Sequence, residues 1–85
     1  MERLAAGVEP HEVMQVLAGR LRRPVPADGP MRLLTIWGRT RDQRPLIVVL
    51  RHDGGLDYLI LAAREMTSIE EAEHARWEES QEEDS

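Results

Sequence analysis

The chain has 85 residues, no cysteine and a formal net charge of −5. A chain of this length fits one domain with a modest core, and without cysteine it has no disulfide and no thiolate metal site, which fits a reducing cytoplasm. Its longest apolar runs, residues 46–50 and 58–63, are much shorter than the roughly 20 residues that cross a bilayer, so we expect a cytoplasmic protein without membrane contact.

The first predicted element is a helix over residues 9–21, "EPHEVMQVLAGRL". Pro10 suits its first position, because the N–H that proline lacks has no helical partner there. The apolar stripe that should face the core consists of Val13, Met14, Leu17, Ala18 and Leu21. Three prolines and a glycine in "RRPVPADGP", residues 22–30, predict a loop after the helix. Residues 2–8 predict a short helical turn before it.

Three short apolar runs follow, and each predicts a β-strand. They are "MRLLTIWGRT", "PLIVVLRH" and "LDYLILAARE", at residues 31–40, 45–52 and 56–65. The middle run is apolar at successive positions from Leu46 to Leu50, as in a central strand that is covered on both faces. The connections are too short for a parallel crossover, so the runs predict a three-stranded antiparallel meander.

The last predicted helix begins after Thr67, because "TSIE" matches the S/T-x-x-E capping box with Glu70 at the third helical position. We expect this helix to continue through Trp77. The residues expected to face the rest of the protein are Ile69, Ala72 and either Arg76 or Trp77.

The acidic residues are concentrated at the C-terminal end. Residues 1–67 contain ten arginines and eight acidic residues, whereas residues 68–85 contain one arginine and eight acidic residues. From Glu78 onward "EESQEEDS" has nothing to bury, so residues 78–85 are predicted to form a disordered tail. The sequence therefore predicts one α+β domain over residues 1–77. It consists of a helix, a three-stranded antiparallel sheet and a C-terminal helix, with both helices on one face of the sheet.

The segment "GRTRDQRPLIVVLRH", residues 38–52, contains four arginines in an acidic chain. In an antiparallel meander, Arg39, Arg44 and Arg64 lie at one end of the sheet and Arg51 lies at the other. Three guanidiniums at one end could clamp phosphates and stabilise the charge that develops in phosphoryl transfer. The alternative is that these arginines lie at strand ends only because the strand ends face water.

Other chemistry has weaker support in the sequence. The histidines His11, His52 and His74 form no pair with metal-ligand spacing. No glycine-rich phosphate loop is present, and Gly54 and Gly55 are typical of a hairpin turn. We therefore expect neither a metal ion nor a cofactor.

The order of three motifs is similar to that of a known family. "GV…HEVMQVL", "IWGRTRDQRPLIVVL" and "DYLILAAREMTSIEEAEH" follow one another over residues 7–77. In this order they resemble the BrnT-type toxins, small ribonucleases of type II toxin–antitoxin systems with a RelE-like fold. The resemblance implies that the sheet places mRNA for cleavage without a metal ion, and that a cognate antitoxin protein binds the chain.

The resemblance also implies roles for individual residues. Arg39 falls on the arginine of the family's Gly-Arg motif, and Arg64 and Glu65 fall on its Ala-Arg-Glu step. His74 lies in the last helix, where a histidine either transfers protons near neutral pH or lies exposed on the helix. The implied catalytic residues are Arg64, Glu65 and His74, and the arginines expected to bind RNA are Arg39, Arg41, Arg44 and Arg51.

Two features depart from the family pattern. The family's opening strand is expected to be missing, because "MERLAA" stands in its place, with Ala5 and Ala6 at the position of a Lys-His pair. The sheet would then lose an edge strand. The acidic C-terminal end would also repel RNA. These departures keep a second function open, a non-catalytic binding module or degenerate toxin relative that acts through protein–protein association. An exposed edge strand would also permit a homodimer.

Overall fold

Five strands and two helices make up the part of the chain that the computed structural model describes, residues 3–4, 7–27, 32–52 and 57–83. The strands form one sheet in the order β1-β5-β4-β3-β2. β1 runs parallel to β5, and every other neighbouring pair is antiparallel. The predicted α+β class is confirmed. In chain order the elements are β1 (Arg3–Leu4), α1 (Pro10–Ala18), β2 (Arg23–Pro26), β3 (Leu33–Arg39), β4 (Pro45–His52), β5 (Tyr58–Glu65) and α2 (Ser68–Glu83).

The predicted meander is present as β3, β4 and β5. Trp37 of β3 lies opposite Ile47 of β4, and Ile47 lies opposite Arg64 of β5. The successive residues Leu46, Ile47 and Val48 are all buried, as the continuous apolar run of β4 predicts for a central strand. The turn predicted at Gly54-Gly55 lies outside the described residues.

The sheet has two more strands than predicted, and β2 lies in the segment that was predicted to be a loop. Pro24 of β2 lies opposite Ile36 of β3, and the Thr35 hydroxyl donates a hydrogen bond of 2.7 Å to the Val25 carbonyl. β2 forms an edge of the sheet, where a proline can lack its N–H without loss of a ladder hydrogen bond. Composition therefore indicated a loop, but an edge position tolerates these prolines.

β1 occupies the other edge, where residues 2–8 were predicted to form a helical turn and no opening strand was expected. Arg3 and Leu4 are instead extended and lie opposite Ala62 and Ala63 of β5. Backbone pairing with β5 therefore determines the conformation of these two residues, and β5 has a neighbouring strand on each side.

α1 begins and ends at clear signals in the sequence. The Glu9 N–H donates a hydrogen bond of 3.0 Å to the Glu12 side chain, next to Pro10 at the start of the helix. The helix ends at Ala18, and the Gly19 N–H donates to the Val16 carbonyl at 3.1 Å. The predicted helix is confirmed, but it is three residues shorter at its C-terminal end because Gly19 leaves the helical conformation.

The face of α1 that packs on the sheet differs from the predicted stripe. Val13 and Val16 are fully buried and Leu17 packs against the core, whereas Met14 is 55% exposed. Val16 fits closely because Gly38 of β3 has no side chain, and a Cβ atom there would lie 2.9 Å from Cγ1 of Val16. The buried core on this side of the sheet consists of Val8, Val13, Val16, Ile36, Leu46, Val48, Leu50 and Ala63.

α2 lies on the opposite face of the sheet from α1. Side chains alternate between the two faces of a strand, so Arg39 and Arg64 point away from their neighbours Gly38 and Ala63, which face α1. On that other side they bind glutamates of α2. The prediction that both helices cover one face is therefore wrong.

α2 also extends further than predicted. The helix passes the expected end at Trp77 and continues to Glu83, so residues 78–83 are helical where disorder was expected, and residues 84–85 lie outside the described residues. Glu78 accounts for part of this extension, because its two carboxylate oxygens accept hydrogen bonds of 3.1 and 3.2 Å from Nε of Arg39. No helix in the described ranges is long and apolar enough to span a membrane.

The buried face of α2 is polar rather than apolar. Residues Glu70, His74 and Glu78, at spacing i, i+4 and i+8, face the sheet. A pattern of regularly spaced apolar residues does not identify a buried face that is polar. Of the α2 residues that were predicted to face the rest of the protein, Trp77 is half-buried, whereas Ile69, Ala72 and Arg76 are exposed.

We expect Gly38→Ala to destabilise the fold by about 1–3 kcal/mol, because the added methyl group overlaps Val16 of α1. Urea unfolding of the wild type and the variant measures this difference. The control is the double variant Gly38→Ala/Val16→Ala, whose destabilisation should be smaller than the sum of the two single effects, since Val16→Ala makes room for the methyl group. Strictly additive effects would contradict the contact.

Candidate functional site

Three of the predicted arginines gather at one end of the sheet. Arg39 ends β3 opposite Pro45 of β4, and Arg64 lies opposite Ile47 near the end of β5. Arg44 stands between them in the hairpin that joins β3 to β4. Arg51 lies at the far end of β4, as the antiparallel geometry predicted.

These arginines do not lie on one face of the sheet. Arg39 and Arg64 lie on the α2 side, because their neighbours face α1. Glu65 follows Arg64 and lies on the α1 side, where it binds Arg44. Arg64 and Glu65 are adjacent in the sequence, but they face opposite sides of the sheet and do not meet around a common point.

On the α1 side, Arg44 is held by two carboxylates and a carbonyl. It donates hydrogen bonds to Glu12 at 2.8 Å, to Glu65 at 3.1 Å through Nε, and to the Gly7 carbonyl at 2.6 Å. Hydrogen bonds to Glu65 and then to Glu12 raise the pKa of Arg44. The pKa of Glu12 is lowered, first by the Glu9 N–H and then by Arg44. Arg44 therefore ties the hairpin to the start of α1.

On the α2 side, three arginines from three strands meet glutamates of a single helix. We call Arg23 of β2, Arg39 of β3 and Arg64 of β5 the arginine layer. Its carboxylate partners on α2 are Glu70, Glu71, Glu73 and Glu78. Arg23 was missed by the sequence analysis because its segment was predicted to be a loop. The signal that could have identified its helix partners is the spacing of acidic residues along α2.

Arg64 forms the most complete of these pairs. Its two terminal nitrogens donate hydrogen bonds of 2.7 and 2.8 Å to the two carboxylate oxygens of Glu70. This contact, more than any other, lowers the pKa of Glu70 to about 2. Glu70 also accepts the Thr67 N–H at 2.9 Å, while the Thr67 hydroxyl accepts the Glu70 N–H at 3.2 Å. The predicted capping box is confirmed, and its Glu70 is also the residue that binds Arg64.

Arg39 lies at the centre of the arginine layer. Besides Glu78, it contacts Glu71 at 3.7 Å and donates a hydrogen bond of 3.3 Å to the Gln43 carbonyl. Arg23 is more loosely bound, at 3.8 Å from Glu73, and its guanidinium lies 5.5 Å from the ring centre of Trp37. A guanidinium at this distance is attracted by the indole ring.

His74 of α2 is fully buried on the side of the helix that faces the sheet. Its ring stacks on Trp77 with a centroid distance of 5.5 Å, and its Nε2 lies 3.5 Å from Glu78. Neither ring nitrogen has a hydrogen-bond partner among the described residues. Burial lowers the pKa of His74; Arg39 and Arg23 lower it further, and Glu78 opposes them. His74 is therefore neither the exposed helix residue of the sequence analysis nor, in this conformation, open to a substrate.

Arg41 lies apart from the arginine layer. It is exposed in the β3–β4 hairpin, and its backbone N–H donates a hydrogen bond of 3.1 Å to the Gln15 side chain. It lines a cleft of about 710 Å³ between α1 and the hairpin, together with Met14 and Arg39. Within the described ranges, no group of histidine, aspartate and glutamate side chains is arranged to hold a metal ion.

No protein-family model, curated protein or solved structure matches this chain.

We expect Glu70→Gln to lower the free energy of unfolding at pH 7 by at most about 1 kcal/mol, the upper range for a partly exposed ion pair. Glutamine can keep the capping contact with Thr67, so the change isolates the charge that Arg64 binds. Because the pKa of Glu70 is depressed in the folded chain, this contribution is present above pH 4.5 and is lost as pH falls toward about 2. Urea unfolding across this pH range measures it.

The control for this experiment is Glu79→Gln, which removes the same charge from an exposed position of α2. It should match the wild type at every pH. A Glu70→Gln effect that persists unchanged at pH 2 would contradict the role of the carboxylate charge.

We expect the wild type to lose stability as pH falls below 6.5, the ordinary pKa of histidine, because burial of His74 lowers its pKa and unfolding takes up a proton. His74→Leu removes the titrating ring and its unpartnered nitrogens. At pH 7 the variant should be at least as stable as the wild type. Between pH 7 and 5 its free energy of unfolding, measured in urea, should change less with pH than that of the wild type. His11→Gln, a change at an exposed histidine, should keep the wild-type slope. An unchanged slope in His74→Leu would exclude this role.

Proposed function

We propose that this chain is a metal-independent, toxin-like ribonuclease of a type II toxin–antitoxin system, with a BrnT-like and RelE-like fold, and that it holds mRNA on the sheet face beneath α2. The observation that supports this function best is the bidentate contact of Arg64 with Glu70. Guanidinium binds carboxylate and phosphate with the same planar fork. Arg64 thus has the position and orientation to bind an RNA phosphate once its glutamate partner gives way.

In this proposal the arginine layer supplies positive charge and His74 moves the proton. The ribose 2′-hydroxyl loses its proton to His74 and attacks the neighbouring phosphorus. The bond to the 5′-oxygen breaks, and this oxygen takes up a proton from water as it leaves. The products are a 2′,3′-cyclic phosphate and a 5′-hydroxyl end. Arg39 and Arg64 stabilise the negative charge that builds on the phosphate oxygens. Glu65 has no part in these steps, because it binds Arg44 on the other face.

The proposal includes partners and a location. A cognate antitoxin protein would bind the chain and hold the ribonuclease inactive, in the cytoplasm where mRNA is found. Among the other predicted RNA-binding arginines, Arg44 is the least available, since Glu12 and Glu65 hold it. Arg41 and Arg51 would contribute to RNA binding only through their general positive charge.

A second candidate function is a non-catalytic binding module that acts through protein–protein association. The burial of His74 and the position of Glu65 on the other face favour it, because the groups proposed to transfer protons do not meet. In that case the charged pairs of α2 stabilise the fold, and the arginines influence association rather than RNA cleavage.

Expression in bacteria under a tightly controlled promoter tests the two functions. We expect the wild type to arrest growth and to produce new RNA 5′-hydroxyl ends. Arg64→Ala should reduce these ends by roughly a hundredfold, the size typical of removing one charge-stabilising donor. Arg76→Ala, a change at an exposed arginine of α2, is the matched control and should cleave like the wild type.

Glu70→Gln separates a catalytic loss from a structural one. It breaks the same ion pair as Arg64→Ala but keeps the arginine, so it should retain cleavage. Equal loss in both variants would mean that the pair acts through folding alone. Normal growth and intact RNA with soluble wild-type protein would exclude the ribonuclease and favour the binding module.

A further inference from the structure

α1 and α2 are attached to the sheet by different forces. α1 buries Val13 and Val16 in the apolar core. α2 faces the sheet mainly with charged side chains, while its isoleucine, Ile69, is 83% exposed. Its one fully buried described side chain, His74, has ring nitrogens without a described partner, and an unpartnered buried polar group weakens the attachment. Ion pairs therefore hold α2 in place.

The ion pairs extend across the sheet. Glu70 binds Arg64 on β5, Glu71 and Glu78 contact Arg39 on β3, and Glu73 contacts Arg23 on β2. Glu70 and Glu78 are eight residues apart, which is about 12 Å along a helix. A row of carboxylates of this length thus lies over the arginines.

We propose that α2 is an acidic cover that competes with the RNA backbone for the arginine layer, so that RNA binds this face only when α2 has moved away. This inference rests on the proposed RNA-binding function and adds its regulation. Phosphates replace the glutamates of α2 on Arg23, Arg39 and Arg64. The helix and the RNA exclude each other because the same guanidinium groups bind both.

The uncovered face has the features of a single-strand binding surface. Moving α2 frees three guanidiniums from three strands, and Trp37 lies on the same face as Arg23. Positive charge combined with an aromatic ring is typical of surfaces that bind unpaired nucleic acid through phosphate contacts and base stacking. His74 leaves its buried position with the helix and regains contact with water, so the proposed proton transfer requires the displaced α2 to lie beside the bound RNA.

Salt should favour the detachment of α2 from the sheet. The Debye length falls from about 10 Å at 0.1 M salt to about 3 Å at 1 M, so partly exposed ion pairs such as Arg64–Glu70 weaken. The apolar packing of α1 does not depend on charge screening. α2 should therefore detach at salt concentrations at which β4 and α1 remain folded.

The test compares two neighbouring glutamates of α2. Glu78→Gln removes the main partner of Arg39, whereas Glu79→Gln removes the same charge from an exposed position. Both variants have the same net charge, so their general attraction to RNA is equal. The probe is a fluorescein-labelled 2′-O-methyl oligouridylate, which cannot be cleaved because it lacks the attacking hydroxyl. Fluorescence anisotropy measures its binding, and amide hydrogen exchange measures the opening of α2.

We expect Glu78→Gln to bind the probe several-fold more tightly than Glu79→Gln and to exchange faster over residues 68–83. In the wild type, adding the probe should accelerate exchange in α2 while β4 stays protected. Two results would overturn the proposal that α2 covers the arginine layer: equal binding of the probe by the two variants, or binding by the wild type while α2 stays protected from exchange. Either result would still be consistent with the proposed RNA-binding function. If neither the wild type nor either variant binds the probe, the cover fails together with the proposed function.

Discussion

Alternation of side chains along the central strands determines what each face of the sheet can hold. Gly38 and Ala63 face α1 and admit its apolar side chains, so their neighbours Arg39 and Arg64 must face the other way. A shift of one residue in either strand would bury a guanidinium beneath α1 and expose the core. The pairing register of the central strands therefore places both the apolar core on one face of the sheet and the arginine layer on the other.

This register explains why an acidic chain keeps so many arginines at one end of its sheet. Arg44 joins the hairpin to the start of α1 through Glu12 and Glu65. Arg39 and Arg64 join β3 and β5 to α2. The acidic C-terminal segment is therefore largely the counter-charge of the sheet, and a helix of weak apolar character stays folded because the sheet supplies its partners.

The two helices consequently have different stabilities toward salt and pH. The apolar burial of Val13 and Val16 in α1 does not depend on charge, and the Arg44–Glu12 pair at its start is the part of its attachment that does. α2 depends on carboxylates, one of which has its pKa lowered to about 2, and on a buried histidine whose pKa is lowered by burial. Contacts of this kind can be replaced by other anions, whereas an apolar contact cannot. Another anion that binds the arginine layer must therefore replace the carboxylates of α2.

Much of the fold could be predicted from the sequence, because local rules control it. Pro10 and Gly19 mark the ends of α1, the run at residues 46–50 marks the central strand, and Thr67 with Glu70 marks the start of α2. These signals act between residues close together in the chain. The same rules placed Arg39, Arg44 and Arg64 at one end of the sheet, since antiparallel strands leave few alternatives.

Tertiary structure decided the remainder. Pro24 became part of an edge strand because β3 offered a partner, and Glu78 became helical and bound because Arg39 lies beneath it. His74 was buried because α2 packs on the sheet through a polar face, which apolar periodicity does not reveal. By itself the sequence determined the central strands, the helix starts and the end of the sheet where the charges gather. Which carboxylate meets which arginine, and on which face, depended on contacts between residues far apart in the chain, and only the assembled sheet brings those residues together.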